Sequence, residues 1–116
     1  MKKIKIGLLT NGNLLIQKNK IRNLKIEEYF DKILFAKKFN IEKPNKESFY
    51  KILELLKSDP KKSLFIGDHV INDIEGAKSI GMKTLWINHN KVRSKISDFM
   101  VYNPYETSRE ILKLIK

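Results

Sequence analysis

The sequence predicts an α/β fold built on a mainly parallel sheet, and three observations lead there. Short apolar runs alternate with stretches of helical period along the chain. One run, Leu64 to Gly67, ends directly at Asp68, and a second carboxylate, Asp73, follows after four intervening residues. A helix-like stretch then stops at Gly81, and a new apolar run begins. Strands alternating with helices imply right-handed βαβ crossovers, which pair the strands in parallel. Open folds of this kind bind ligands at the carboxyl ends of their strands, where this chain places two acids.

Ile4 to Leu9 alternates and then turns apolar, predicting a buried strand that ends at Thr10-Asn11-Gly12. Leu14, Leu15, Lys18, Ile21 and Leu24 follow at helical spacing, with Asn13 as the N-cap. Ile26 to Phe30 reads as a short helical turn and Lys32 to Ala36 as a second strand. After a loop from Lys37 to Pro44, Asn45 caps a helix through Lys57, whose apolar face is Phe49, Ile52, Leu53 and Leu56. Asp59-Pro60 is a cap followed by proline at a first helical position, predicting one turn before the third strand, Leu64 to Gly67. A helix from Asn72 to Ile80 closes at Gly81, and Thr84 to Ile87 forms a fourth strand. Phe99 to Tyr102 reads as a short fifth strand and Glu106 to Ile115 as the last helix.

At 116 residues the chain is read as one domain, 1–116, large enough for a real core. Its 41% hydrophobic and 32% charged content exclude a disordered polymer. No apolar run approaches the ~20 residues that span a bilayer, so no membrane partner is expected. The start lacks the apolar region of a signal peptide, and the absence of cysteine removes disulfides, thiolate metal sites and a thiol nucleophile. A cytoplasmic location is the expectation. The net charge of +11 raises the question of nucleic acid. Lysines greatly outnumber arginines and are scattered through every segment, so the excess reads as a solvated basic surface rather than a nucleic-acid site.

Four features fall just after strand ends or on loops able to reach them. Thr10-Asn11-Gly12 offers a hydroxyl and backbone N–H groups in a tight turn, suited to phosphoryl oxygens. Taken singly, it is better read as an ordinary strand-to-helix connection. Lys43, beside Pro44 at a helix entry, offers a cation for charge developing on a phosphoryl group, or a surface charge like any other lysine here. Asp68 and Asp73 form a pair of hard oxygen ligands suited to Mg2+, which prefers carboxylates shared with phosphate and water. Each alone could be a helix cap.

In this order and spacing the features resemble the haloacid dehalogenase-like (HAD) hydrolase superfamily, over nearly the whole chain from Ile4 onward. Leu8-Leu9-Thr10-Asn11-Gly12 is similar to its second motif, Glu42 to Phe49 to its third, and Phe65 to Ile74 to its fourth. Gly76-Ala77, Gly81-Met82 and Leu85 to Asn88 are similar to subfamily I phosphatases of small phosphorylated metabolites. The resemblance implies a Rossmann-like three-layer sandwich. It implies that Thr10 and the Asn11 amide hold phosphoryl oxygens and that Lys43 is the catalytic cation offsetting their charge. It further implies that Asp68 ligates Mg2+ while Asp73 orients a metal-bound water or Lys43.

The same resemblance exposes a gap. These enzymes attack phosphorus with an aspartate of an Asp-x-Asp motif at the end of their first strand, and the second Asp is general acid and base. The aspartates here are Asp31, Asp59, Asp68, Asp73 and Asp98, and no two are separated by a single residue. A covalent route needs an attacking group within reach. The resemblance places the missing strand mid-sheet, between the strands ending at Thr10 and Asp68, so the core reads as incomplete, without first strand or cap. Three readings stand: the carboxyl-terminal part of a longer phosphatase, a self-contained relic with the flanking strands paired directly, or a core completed by a second chain. The functional expectation is a Mg2+-dependent phosphohydrolase core that is inactive alone. The competing reading is a non-catalytic binding module using an open sheet edge.

Other residues carry less. His69 and His89 lack partners at ligand spacing and read as polar and partly exposed. Trp86 could stack on a base but lies within an apolar strand, and is read as core. Tyr102 and Tyr105 are read as packing residues, and Asn72 equally as a contact to the metal site or as a residue at a helix N-terminus.

Overall fold

The structure is a computed structural model that describes residues 4–25 and 27–115. It comprises two compact units, Met1–Asp59 and Pro60–Lys116. The first holds strand β1 (Gly7–Thr10), helix α1 (Leu14–Leu24), strand β2 (Lys32–Phe35) and helix α2 (Lys46–Leu56). The strands run parallel, with Gly7 opposite Lys32 and Thr10 opposite Phe35. Asn13 caps α1 by accepting the Leu15 and Ile16 N–H groups, so the chain enters the helix within a few residues of the strand end. Asn45 does the same for α2 through Glu47. The α2 stripe predicted from helical spacing is where the core lies: Phe49, Ile52 and Leu53 are buried together with Leu9 and Leu34 of the strands.

Several local expectations are corrected. The first strand begins at Gly7 rather than Ile4, and Ile4 and Ile6 are exposed. Ile6 is tied instead to Asp31, which accepts its N–H at 2.7 Å while its carbonyl accepts the Asp31 N–H. That exchange ends the regular pairing with β2. Of the apolar positions on α1 only Ile21 is buried, whereas Leu15 and Leu24 face solvent. The turn predicted over Ile26 to Phe30 is a single 3-10 turn at Glu27–Tyr29, and Ile26 lies outside the described residues. A second 3-10 turn, Ala36–Phe39, occupies part of the expected loop.

The second unit holds strands β3 (Leu64–Gly67), β4 (Lys83–Ile87) and β5 (Phe99–Val101), all parallel in the order β3-β4-β5. Proline begins the turn Pro60–Lys62 before β3, as its fixed φ favours. Between β3 and β4 lies a π-helical turn, Val70–Glu75, running into a short helix α3 (Gly76–Lys78). Gly81 ends this segment at φ +89°, a backbone conformation that strains any residue with a Cβ. Asp98 fastens the start of β5 to β4, accepting both the N–H and the hydroxyl of Thr84. Asn88 is buried at the end of β4 and closes the turn to Val92 with two hydrogen bonds, one in each direction. Helix α4 (Thr107–Ile115) follows a turn at Pro104–Glu106, where Asn103 and Glu106 exchange hydrogen bonds in the manner of a capping box. Trp86 is core, as predicted. Tyr105 is not a packing residue: it is 91% exposed on its turn, and Tyr102 is half exposed, with the Lys91 ammonium 5.4 Å from its ring centroid. Among the described residues no helix is long and apolar enough to cross a membrane.

Candidate active site

Thr10, Asn11 and Lys43 belong to the first unit. Thr10 is the last residue of β1, and its Oγ1 accepts the Gly12 N–H at 3.1 Å. This short turn fixes the hydroxyl oxygen and leaves its hydrogen to donate outward. Asn11 does something that no local pattern predicts. Its side chain grips the main chain of Lys43: Oδ1 accepts the Lys43 N–H at 2.7 Å, and Nδ2 donates to the Lys43 carbonyl at 3.0 Å. Lys43 is half-buried, and the Lys43–Pro44 peptide is cis. The strand end and the loop before α2 are therefore joined, though the partners lie 32 positions apart in sequence.

Asp68 and Asp73 belong to the second unit. β3 stops at Gly67, and Asp68 follows with an exposed side chain. Its carbonyl accepts the Trp86 indole N–H at 3.2 Å, which ties this residue to the neighbouring strand. Asp73 is buried and folds back toward it. Its Oδ2 accepts the His69 N–H at 3.1 Å, and its Cγ and Oδ2 lie where a Cβ on Gly67 would fall, 2.5 Å away. The Asp73 carboxylate thus contacts the residues on either side of Asp68. Asp68 and Asp73 both follow the end of β3, and the Asp73 side chain turns back to the main chain flanking Asp68.

The turn that brings Asp73 back toward Gly67 was not legible in sequence. A helix beginning at Asn72 is the natural reading, yet the coil starts at Val70 and is π-helical. The His69 carbonyl accepts both the Asp73 N–H at 2.9 Å and the Ile74 N–H at 3.2 Å, a shared acceptor that widens the first turn. The cap is His69, its Nδ1 accepting the Asn72 N–H at 3.1 Å. His69 and His89 are both exposed, as expected. Among the described residues no three His, Cys, Asp or Glu side chains are grouped for a metal ion. Two carboxylates fit Mg2+, which retains several waters and takes one or two acids together with substrate oxygens.

Residues 1–87 match the family model described as haloacid dehalogenase-like hydrolase. A glyceraldehyde 3-phosphate phosphatase from Pyrococcus abyssi is 34% identical over 87 residues, 75% of this chain and 37% of that protein. The N-acylneuraminate-9-phosphatase of Homo sapiens is 33% identical over 110 residues, 90% of this chain and 44% of that protein. Among solved structures, a HAD phosphatase from Thermococcus onnurineus matches with a TM-score of 0.83 at 33% identity, over 93% of this chain and 50% of that one. The chain spans half or less of the length of these relatives. The α/β class predicted from strand and helix alternation is the class observed, a partial Rossmann-like core with parallel strands in two sheets.

Proposed function

This chain belongs to the haloacid dehalogenase-like hydrolases, and from that membership we propose that it is the core of a Mg2+-dependent phosphohydrolase acting on the phosphomonoester of a small metabolite. The relatives at comparable identity are named for glyceraldehyde 3-phosphate and N-acylneuraminate 9-phosphate, which supports a small phosphorylated substrate. The observation that carries the reading is the Asp73 carboxylate folded over Gly67 and bonded to the His69 N–H, flanking Asp68.

Roles follow from the groups each residue presents. The Thr10 hydroxyl, its oxygen already held by the Gly12 N–H, donates to a phosphoryl oxygen. The Asn11 main-chain amide donates to another, and the Lys43 ammonium offsets the charge they carry. Asp68 and Asp73 hold the cation, with Asp73 kept in place by its bond to the main chain. When bound, Mg2+ would neutralise phosphoryl charge. Charge-assisted contacts of this type are each worth about 1.5–3 kcal/mol. The two units act as one domain in this proposal, in the cytoplasm, without membrane or nucleic-acid partners.

The attacking aspartate is not among these residues, because the sequence contains no Asp-x-Asp. The 116-residue chain is therefore expected to bind inorganic phosphate and Mg2+ weakly and to turn over no substrate alone. The check is hydrolysis of p-nitrophenyl phosphate with Mg2+ present. Turnover that disappears in Asp68→Ala would refute the expected inactivity while supporting the site.

One observation favours a second reading, a non-catalytic module that accepts a strand from a partner. In the described sheets β1 pairs with β2 alone and β3 with β4 alone, so each has an edge available to an added strand. Sedimentation over a range of concentrations separates the readings. Concentration-dependent association is expected if a second chain completes the sheet, and a monomer at every concentration counts against it.

A further inference from the structure

We propose that the Asn11 side chain is the positioning residue for Lys43, acting through the lysine's main chain and not by touching the substrate. The inference rests on reading Thr10 and Lys43 as phosphoryl-binding, and it assigns Asn11 a task beyond donation by its main-chain amide. The carboxamide is chemically matched to that task. It carries an acceptor and a donor on one carbon, and Lys43 presents the complementary N–H and carbonyl. A serine or threonine hydroxyl carries donor and acceptor on one atom rather than on two separate ones, and ionised aspartate can accept but not donate. Both bonds are partly buried, where water competes less well for them.

The placement gives the clamp its purpose. Lys43 sits in a loop between the turn Ala36–Phe39 and α2, and neither a strand ladder nor a helix holds its main chain. Asn11 immediately follows Thr10, the residue read as the phosphoryl-oxygen donor. A loop lysine is thereby registered against the strand end that bears the hydroxyl. Both ends of the Asn11 carboxamide are engaged on Lys43, one through an Nδ2 hydrogen and one through Oδ1. That geometry favours action through Lys43 over direct contact with phosphate.

The test uses the 116-residue chain, inorganic phosphate as the probe, and amide-resolved NMR. In the wild type the Lys43 N–H should exchange slowly, and in Asn11→Ala that protection should be lost while the β1–β2 amides keep theirs. Asn11→Asp retains an acceptor for the Lys43 N–H and should restore the protection. Phosphate affinity should fall about tenfold in Asn11→Ala, as loss of fixed hydrogen bonds implies. It should fall similarly in Lys43→Ala. The double variant Asn11→Ala/Lys43→Ala should bind no more weakly than Lys43→Ala alone, because Asn11 acts through Lys43. Additive losses would overturn the proposal by making Asn11 a phosphate ligand in its own right. Unchanged Lys43 exchange in Asn11→Ala would overturn it as well. Wild-type chain that binds no phosphate would instead refute the phosphoryl-binding reading of Thr10 and Lys43, and the exchange measurements would still decide the clamp.

Discussion

Gly67→Ala should destabilise the protein by about 1–3 kcal/mol and weaken Mg2+ binding about 10–100-fold. The reason is local and geometric. A Cβ at this position would meet the Asp73 Cγ and Oδ2 at 2.5 Å, well inside contact distance. Asp73 has little room to yield, because it is buried and its Oδ2 is bonded to the His69 N–H. Moving it would break that bond and carry the carboxylate away from Asp68. Gly81→Ala is the matched control. Its φ of +89° makes any side chain cost roughly 1–2 kcal/mol, but a Cβ there meets nothing within 4 Å. Urea unfolding should therefore register both variants, whereas calorimetric Mg2+ titration should register Gly67→Ala alone. Equal Mg2+ affinity in Gly67→Ala and wild type would remove Asp73 from the cation site.

Phe49→Ala should cost about 3–5 kcal/mol of stability. Phe49 has no solvent exposure and belongs to the α2 face that packs on β1 and β2, so truncation leaves a cavity that the helix and strands cannot easily close. Against a total of about 5–15 kcal/mol for an ordinary domain, that loss is severe. Tyr50→Ala, next in sequence but half exposed, should stay within about 0.5 kcal/mol. The single tryptophan adds a second readout, since Trp86 is buried in the unit that does not contain Phe49. If residues 1–116 act as one cooperative domain, Trp86 fluorescence and far-UV circular dichroism shift together in Phe49→Ala. A Trp86 transition left at its wild-type midpoint would make the two units independent.

These residues also show how much of the fold is readable in the sequence. The α2 stripe and its Asn45 cap were legible because helical spacing and capping are local, and a residue's neighbours on a helix are three and four positions away. The strand from Leu64 to Gly67, its two acids and the Gly81 stop were legible for the same reason. Ile4 and Ile6 misled because alternation marks a strand only where a partner strand is present, and pairing starts at Gly7. Tyr105 misled because an aromatic beside a proline can face a core or solvent, and sequence does not choose between them. The cap at Asn13 was visible because it is local, whereas the reach of the Asn11 side chain to Lys43 left no local signal.

By itself, then, the order of residues determined the α/β class, the boundaries of most elements, and the chemical types present at the strand ends: a hydroxyl, an ammonium and two carboxylates. Each of those follows from interactions between near neighbours in the chain. Only the tertiary structure decided that Asp73 turns back over Gly67, through a π-helical turn whose His69 carbonyl serves two N–H groups. It alone decided that Asn11 holds Lys43, a residue 32 positions further along the chain. Both depend on how separate segments meet. A hydrogen bond records distance in space, and distance along the chain carries no trace of it.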